Sequence, residues 1–374
     1  MIEVKEVKTK KQQREFLNFP LQLYKNVPYF CPPLYGDEKK IFSKKYYYYE
    51  TCEAVYYNAY DGDKMVGRIS GILQRAHNEK TGERRVRFTR FDSIDDQSVA
   101  DALFDAVEKW AASKGMNKVF GPLGFSDLER EGLLVEGFDQ MSTFEEQYNY
   151  DYYEKLILNR GYVKEAEWNE SKISKPDDPD ERLGRFAVRI MQRNKLHYGQ
   201  AKNVNDFLRR YADQFFTLID RSYANIYGAV PFTDGMKKML IQNFKLIIDL
   251  DHVGVILDEN DNVVAMGLCF PSIAEAVRKS NGRMTPAAIV RLLKAKKNPR
   301  VIDFALVGVD PDYTNRGLGA IVTMWIMDML CNGKVDYAET NLNLVDNAEI
   351  QNLWGRFNRQ IHKVRRAYIK NLEV

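Results

Sequence analysis

The fold is decided by Val307-Gly308-Val309-Asp310-Pro311-Asp312-Tyr313-Thr314-Asn315-Arg316-Gly317-Leu318-Gly319-Ala320, which runs from a β-branched strand through a turn to a helix start. Because glycine has no Cβ atom, a ligand can approach the backbone closely at Gly317 and Gly319. The unpaired N–H groups of a first helical turn and the helix dipole both favour an anion. The pattern therefore predicts a phosphate site, to which Arg316 adds a charged contact.

Two common phosphate-binding loops do not fit this stretch. A dinucleotide fingerprint needs a third glycine where Val322 stands, and it lies tightly against its strand, whereas seven residues separate Val309 from Gly317. A Walker A loop needs Gly-Lys-Ser/Thr, which does not follow here. The alternative that stays open is an ordinary strand-to-helix connection that happens to contain two glycines.

The length and composition predict two soluble domains. The chain has 374 residues, of which 45% are hydrophobic and 29% charged, with a formal net charge of +3. At about 150 residues per domain this corresponds to roughly two domains, and nearly neutral charge gives no global attraction to nucleic acid. The clearest linker is the proline- and aspartate-rich segment 174–180. We therefore predict one domain over residues 1–175 and a second over 181–374.

Both halves present the same order of predicted elements, which indicates a duplication. Each half has a hairpin, a polar excursion, a strand, a loop, an apolar helix closed by a glycine (Gly115 and Gly333), a further strand and a short helix that opens with asparagine (Asn149 and Asn347). In chain order these elements are 54–60, 64–73, 86–91, 99–113, 118–121 and 149–156 in the first half, and 252–257, 263–270, 301–309, 318–331, 336–340 and 347–353 in the second. Amphipathic helices over 206–223 and 233–248 precede the second hairpin. The alternative is a chance likeness between two α/β halves.

At this point the sequence resembles a known family, the GNAT acyl-CoA N-acyltransferases. The strand, the stretch Val309-x-Pro311-x-x-x-x-Arg316-Gly317-x-Gly319-Ala320 and the apolar helix are similar to the family's motif A, with Thr314 at the position that usually holds Gln or Arg. Asn347-x-x-Ile350-x-x-Leu353-Trp354 resembles the family's N-x-x-A-x-x-L-Y helix start. The resemblance implies a mixed α/β fold of two tandem GNAT-like domains.

The N-terminal copy is predicted to be degenerate. Its loop at the motif A position, Asp92 to Ser98, contains no glycine, and its acidic residues would repel a pyrophosphate. Three further segments resemble a bacterial subgroup of tandem proteins: Pro32-Pro33-Leu34, Gly121-Pro122-Leu123-Gly124-Phe125 and Asn149-x-x-Tyr152-Tyr153. The resemblance thus assigns the cofactor site to the second half.

The resemblance implies which residues bind acetyl-CoA or another acyl-CoA as co-substrate. The pyrophosphate ligands would lie in the loop, the pantetheine would pair with the preceding strand, and the helix-opening asparagine would meet the pantetheine arm. Carried over, the cofactor-binding residues are Val307, Val309, Asn315, Arg316, Gly317, Leu318, Gly319, Ala320 and Asn347.

Direct transfer to an amine requires a base for the ammonium proton and allows an acid for the leaving thiolate. Glu339 lies mid-strand and is the candidate base, although an outward-facing charge is the alternative. Trp354 occupies the family's tyrosine position and cannot donate a proton at neutral pH, so Tyr368 on the last strand is the candidate acid. We expect Asp303 to be a solvated edge group and the four histidines to be surface or strand-end residues.

The sequence also limits which metals, membranes and cellular compartments are expected for this protein. Four scattered cysteines and four histidines predict no structural metal and reduced thiols. No apolar run reaches about 20 residues and no signal peptide is visible, so we expect a cytoplasmic protein without a membrane partner.

Residues 278–300 carry eight basic and no acidic residues, and residues 351–370 carry six and none. Such runs are usually solvated faces. Binding of an anionic substrate, of the CoA 3′-phosphate or of RNA is the alternative.

Three functions follow from these observations. The first is an acyl-CoA-dependent N-acyltransferase, with acetyl as the expected acyl group and an amine of open identity as acceptor. The second is a non-catalytic acyl-CoA-binding or scaffolding protein, which the departures at Thr314 and Trp354 favour. The third is a transferase that uses aminoacyl-tRNA, because tandem GNAT-like folds resemble the Fem-type transferases.

Overall fold

A computed structural model describes residues 1–178, 181–297, 299–332 and 335–373 of the chain. Among these residues, no helix combines the length and the apolar character that crossing a bilayer requires. The Gly333 helix cap predicted from the sequence lies outside the described residues.

The first half of the chain alternates strands and helices. Its elements are β1 (Ile2–Glu6), α1 (Lys10–Leu23), α2 (Tyr35–Glu38), β2 (Cys52–Asp61), β3 (Lys64–Gln74), α3 (Arg75–Thr81), β4 (Arg85–Ser93), α4 (Gln97–Ser113), β5 (Lys118–Gly121), β6 (Leu133–Glu136), α5 (Tyr152–Asn159) and β7 (Val163–Ser174).

The second half repeats this alternation. Its elements are α6 (Glu181–Arg193), β8 (His197–Tyr198), α7 (Val204–Ser222), α8 (Asp234–Phe244), β9 (Val253–Leu257), β10 (Val263–Pro271), α9 (Ala274–Arg278), α10 (Pro286–Lys297), β11 (Val301–Val309), α11 (Leu318–Asn332), β12 (Tyr337–Glu339), β13 (Asn343–Leu344), α12 (Ala348–Trp354) and β14 (Asn358–Asn371).

These elements confirm most of the predicted order. Strands 118–121 and 301–309 have the predicted bounds, both hairpins form, and Gly115 adopts the left-handed conformation (φ +75°) expected of a helix cap. One detail is wrong: α5 begins at Tyr152 rather than at Asn149. The Asn149 side chain instead bonds both the N–H and the carbonyl oxygen of Leu134, so it ties the loop before α5 to strand β6.

The chain forms two compact units. Unit 1 consists of Met1–Trp168, Ala274–Val290 and Lys363–Val374, and unit 2 of Asn169–Ile273 and Arg291–His362. Strands β7 and β14 therefore each contribute residues to both units.

Unit 1 has a mixed sheet in the order β1, β2, β3, β4, β5 and the C-terminal part of β14. The only parallel neighbours in this sequence of strands are β4 and β5, which pair from Arg85↔Lys118 to Arg87↔Phe120. The apolar side of α4 packs on this sheet through buried residues such as Val99, Leu103 and Val107.

Unit 2 repeats this sheet in the order β8, β9, β10, β11, β12 and the second part of β7. Strands β11 and β12 are parallel, and β12 pairs antiparallel with β7 through Ala338↔Ile173 and Glu339↔Lys172. Helix α11 takes the place that α4 has in unit 1, with Leu318, Ile321 and Ile326 fully buried.

Glycines in the sheet of unit 2 seat helix α11. Gly254 and Gly267 are paired across β9 and β10, and the indole ring of Trp325 lies against both. A Cβ atom at Gly254 would lie 2.7 Å from that ring, and one at Gly267 would overlap it. Because glycine has no side chain here, α11 can approach the sheet closely enough to place its N-terminus beside the end of β11.

Each unit takes its last strand from a distant part of the chain. In unit 1, β5 pairs with β14 through Tyr368↔Gly121 to Asn371↔Lys118. In unit 2, β12 pairs with β7, whose Ile173 is fully buried in the core. A cut in the segment 174–180 would therefore separate the last strand of each sheet from the rest of that sheet.

We predict that the fragments 1–174 and 181–374, expressed separately, do not fold cooperatively. The first fragment would lose Tyr368 from its core and expose an edge at β5, and the second would lose Ile173. Thermal unfolding followed by circular dichroism would show no sigmoidal transition for either fragment, whereas the two mixed fragments recover one. A cooperative transition of fragment 1–174 alone would contradict this arrangement.

Candidate functional site

The two parallel strands of unit 2 separate after three residue pairs. Their pairing runs from Val301↔Tyr337 to Asp303↔Glu339, where β12 ends, while β11 continues to Val309. Just beyond Asp303, β11 has one residue more than its other neighbour, β10. Cys269 of β10 pairs with Phe304 and Leu268 with Leu306, so Ala305 is left without a partner residue. A bulge of this kind bends a strand and ends pairing, which is why bulges are frequent beside active sites.

The loop that follows β11 delivers backbone N–H groups to the same end of the sheet. Residues Pro311–Arg316 form a 3-10 turn, and Gly317 has a left-handed backbone (φ +85°) before α11 begins at Leu318. The amide of Ala320 donates to the Gly317 carbonyl oxygen at 3.0 Å, which leaves those of Leu318 and Gly319 as first-turn donors for an anion. A Cβ atom at Gly319 would meet nothing within 4 Å, so the space there is open.

Ion pairs and a ring contact fix the shape of this loop. The guanidinium of Arg221, at the end of α7, bonds Asp310 at 2.5 Å and Asp312 at 2.9 Å. These carboxylates raise the pKa of Arg221. The guanidinium of Arg316 lies 4.4 Å from the centre of the Tyr313 ring. The loop is thus held open at Gly319 by contacts made elsewhere.

The predicted strand contacts lie on the part of β11 beyond the bulge. Val307 and Val309 pack at the edge of the core of unit 2. The hydroxyl of Tyr223, which follows α7, donates to the Val307 carbonyl oxygen at 3.2 Å. Asn347 caps α12 by accepting from the Ile350 amide at 3.2 Å, as its position before the helix predicts.

A buried group of ionisable side chains lies where β11 and β12 separate. Glu339 is 7% exposed and Glu170 of β7 is fully buried. Nε2 of His362 lies 3.2 Å from Oε1 of Glu339, and the His362 side chain is 3% exposed. One ligand atom from each of the three residues lies within 4.8 Å of the others. The outward-facing alternative for Glu339 is therefore wrong.

The pairing register explains why these groups meet. Glu339 pairs with Asp303 on one side and Lys172 on the other, and directly paired residues project from the same side of a sheet. Glu170 is two residues from Lys172 and shares that side. Asp303 is 3% exposed, so its expected solvated position is wrong. Its carboxylate, together with burial, raises the pKa of Cys269.

Sequence reasoning missed Glu170 and His362. Of the four histidines, exposed His197 and His252, which directly precedes β9, fit the expectation of surface or strand-end residues, whereas buried His77 on α3 does not. The signal was a charged or imidazole side chain inside an otherwise strand-like segment. No local pattern brings residues 170, 339 and 362 together, because three different strands supply them.

The hydrogen bonds of the predicted acid and of Trp354 go to other residues than those of this group. Tyr368 belongs to unit 1, where its hydroxyl donates to Glu154 at 2.5 Å and where burial, with that bond, raises its pKa. Trp354 is buried, and its indole N–H donates to Asn343 at 2.6 Å, which is a packing role. Within unit 2, Val307 and Val309 lie on the part of β11 that leads into the loop, and Glu339 lies on the neighbouring strand β12, whereas Tyr368 belongs to unit 1.

Helix α6 adds a basic, aromatic neighbour to the loop. A Cβ atom at Gly317 would lie 3.0 Å from Ile190 and 3.8 Å from the Phe186 ring. Phe186 is 48% exposed, and exposed Arg189 lies three residues along on the same side of the helix. Arg182, Arg185 and Arg193 continue this exposed basic side.

Unit 1 has the same strand geometry, but its own chain fills the gap. Beyond the last parallel pair, the Leu123 amide donates to the Phe88 carbonyl oxygen at 2.9 Å. Arg90, in the matching bulge, has φ +51° and bonds Glu38 at 2.6 Å. Asp96 caps α4 in place of a glycine-containing turn. A strand edge already occupied by residue 123 offers no room for a pantetheine arm.

Comparison with known proteins gives two curated relatives and many solved structures. No family model matches the chain. Protein YghO of Escherichia coli (strain K12) is 26% identical over 388 residues, which cover 97% of this chain and 94% of that protein. A bacterial ceramide synthase of Caulobacter vibrioides (strain NA1000 / CB15N) is 26% identical over 332 residues, covering 86% of this chain and 84% of that protein.

A solved structure matches both units at once. The tandem GNAT protein from the clavulanic acid biosynthesis pathway is 9% identical and has a TM-score of 0.56, with 100% of this chain and 99% of that chain covered. The chain has a tandem GNAT fold. Within this fold, unit 2 has the glycine-containing loop after β11, whereas the corresponding loop of unit 1 after β4 contains no glycine.

We predict that Gly319→Trp lowers the affinity for CoA at least about ten-fold without changing the melting temperature. The indole would occupy the space beside the first-turn amides, where a Cβ atom at residue 319 has no neighbour within 4 Å. Isothermal titration with CoA measures the effect, and Gly319→Ala serves as the matched control that keeps near wild-type affinity. Equal affinity of the Trp variant and the wild type would contradict the loop as the phosphate site.

Proposed function

We propose that this protein is an acyl-CoA-dependent N-acyltransferase that transfers the acyl group directly to an amine. The observation that carries the proposal is the strand divergence after Asp303↔Glu339, with the amides of Leu318 and Gly319 at its mouth. An unpaired strand edge can bond the amide groups of a pantetheine arm, and the helix start can bind the pyrophosphate. The tandem GNAT fold supports this class of reaction.

The residues predicted from the sequence would contact different parts of the cofactor. Arg316 and Asn315 lie next to the backbone amides that would bind the pyrophosphate. Val307 and Val309 would contact the pantetheine through their backbone groups. Asn347 already uses its oxygen to cap α12, so its contact with the arm stays a prediction. Phe186 and Arg189 of α6 extend the site toward the adenosine 3′-phosphate end of CoA.

The buried pair of Glu339 and His362 supplies the proton acceptor. The amine nitrogen attacks the thioester carbonyl carbon, a C–N bond forms, and the C–S bond breaks. The proton released by nitrogen passes to His362, whose Nε2 lies 3.2 Å from Oε1 of Glu339, and the CoA thiolate leaves with a proton. The Tyr223 hydroxyl, which is hydrogen-bonded to the Val307 carbonyl oxygen, is the candidate in unit 2 for the group that protonates the thiolate. Tyr368 in that role stays a prediction.

The acceptor class comes from the ceramide synthase relative. A ceramide is the amide of a fatty acid with a long-chain amino alcohol, so forming its amide bond is an N-acylation. At 26% identity over 86% of this chain, that relative favours a long-chain amino alcohol acceptor and a fatty acyl-CoA donor. The acetyl donor expected from the sequence stays a prediction that the same assay decides.

We predict that His362→Gln and Glu339→Gln each lower kcat about 10²- to 10⁴-fold while KM for the acyl-CoA changes little, because proton transfer is lost and cofactor contacts are kept. Thiol release over a panel of donors from acetyl- to palmitoyl-CoA and of amines including sphinganine measures both constants. His252→Gln replaces another buried imidazole of unit 2 and is the matched control.

The outcomes of this assay separate the alternatives. Full kcat in His362→Gln would contradict the proton role. Loss of activity with a chelator and its return with Zn²⁺ would show that Glu170, Glu339 and His362 bind a cation instead. CoA binding without turnover on any acceptor would indicate a binding protein, and tRNA retention without CoA affinity would indicate an aminoacyl-tRNA-dependent enzyme.

We predict that Arg189→Ala weakens binding of CoA about five-fold but leaves binding of dephospho-CoA unchanged, because the exposed guanidinium meets only the 3′-phosphate. Phe186→Ala, by removing a ring that can stack on adenine, weakens both ligands. Isothermal titration of the two ligands gives the ratio, and Lys202→Ala removes an exposed cation outside α6 as the control. If Arg189→Ala left the ratio of the CoA and dephospho-CoA affinities unchanged, α6 would not be part of the site. The assignment of the loop would not be affected.

A further inference from the structure

Helix α10 exposes apolar side chains that most soluble helices bury. Ile289 is 38%, Val290 65% and Leu293 52% exposed, whereas Ala288 and Leu292 hold the helix on the protein. With about 3.6 residues per turn, the three exposed side chains fall within roughly 100° of the helix circumference. They form one stripe rather than scattered exposures, and such a stripe marks an interaction surface.

Uncompensated cations flank this stripe. Residues 276–302 contain no acidic residue. Arg291, Lys294 and Lys297 are exposed, and none of them has an ion pair or hydrogen bond within the described ranges 1–178, 181–297, 299–332 and 335–373. We call the exposed side of Ile289, Val290, Arg291, Leu293, Lys294 and Lys297 the α10 face.

Other cations of the basic runs are already engaged. Lys279 pairs with Glu275, Arg300 pairs with Asp336, and Lys296 donates to the carbonyl oxygen of Ile248 at 2.6 Å. In the second run, Arg366 bonds Glu154 and Glu167. The solvated-face interpretation of residues 351–370 is wrong for Lys363 and Arg365, which are fully buried. The α10 face therefore gathers three exposed cations of the first run whose charge is available to a partner.

A shallow apolar groove in unit 2 continues this stripe. Leu292 and Leu293 line it together with Ile247 and Ile273, and Leu246 at its rim is 44% exposed. Lys296 is the charged side chain at its edge. Hydrocarbon surface next to free cations is the composition of a helix that lies in a membrane interface.

We propose that the α10 face binds the surface of an anionic phospholipid bilayer. Ile289, Val290 and Leu293 would enter the boundary between headgroups and acyl chains, and the three cations would contact lipid phosphates. This goes beyond the proposed function, and it needs no membrane-spanning helix. It revises the expectation of no membrane partner, which rested on the lack of a spanning segment.

The same observations disfavour other occupants. No aromatic residue lies between Phe270 and Phe304, so bases of RNA would find nothing on α10 to stack on. A second copy of the chain would bring like charges together on two identical faces. An anionic bilayer satisfies both the charge and the apolar stripe.

Flotation of the full-length protein with vesicles tests this proposal. We expect binding to vesicles of equimolar phosphatidylglycerol and phosphatidylcholine, and little binding to phosphatidylcholine alone. Replacing Arg291, Lys294 and Lys297 together by Gln should weaken binding about 100-fold, at roughly five-fold per cation. The pair Val290→Ser and Leu293→Ser should abolish the part of the binding that resists high salt. The melting temperatures should not change, because all five side chains face solvent.

A matched control removes the same charge elsewhere. Lys10, Arg14 and Lys25 are exposed, lie in or beside α1, and have no exposed large apolar neighbour in that helix. Their replacement by Gln should leave vesicle binding within about two-fold of wild type, since net charge alone is not the cause. No binding to anionic vesicles at low salt, or equal loss in both triple variants, would overturn the proposal. Preference for tRNA over vesicles, or concentration-dependent dimers lost on substitution of α10, would also overturn it. None of these results bears on CoA binding, so the proposed function is tested separately.

Discussion

The site of unit 2 depends on the point where the backbone pairing between two parallel strands ends. Backbone pairing between β11 and β12 ends at Asp303↔Glu339, while β11 continues for six more residues. The extra residue Ala305 redirects β11 at this point. Everything proposed for the chemistry uses the edge that results: the predicted strand contacts lie beyond it, the loop amides stand at its mouth, and the buried carboxylates lie at its base.

The surrounding structure keeps that edge in place. The paired glycines Gly254 and Gly267 let Trp325 bring α11 against the sheet, and Arg221 fixes the loop through Asp310 and Asp312. Unit 1 has the same strand geometry, but there the Leu123 amide donates a hydrogen bond to the Phe88 carbonyl oxygen. In unit 1 the backbone of the chain therefore fills the gap, whereas in unit 2 the Val307 carbonyl oxygen accepts a hydrogen bond from the Tyr223 side chain.

The fold was predictable because its signals are local. Alternating apolar residues gave both hairpins, and the glycines after Arg316 gave the start of α11 to the residue. That the acidic, glycine-free loop after β4 marks a degenerate copy stays a prediction. Local patterns cannot contain the partner of a strand: Tyr368 of β14 pairs with Gly121 of β5, and Ala338 of β12 pairs with Ile173 of β7, although more than 160 positions separate the members of each pair. The same limit hid the meeting of Glu170 and His362 with Glu339, and it made Asp303 look like a solvated edge group.

The central claim is that the free edge of β11 and the first-turn amides of α11 bind one ligand together. Amide hydrogen exchange of the full-length protein, with and without CoA, tests it most directly. The account predicts slower exchange at residues 305–309 and at 318–319 in the presence of CoA, and no change at residues 88–93 of unit 1. Unchanged exchange in both segments of unit 2 under saturating CoA, or protection confined to unit 1, would contradict it.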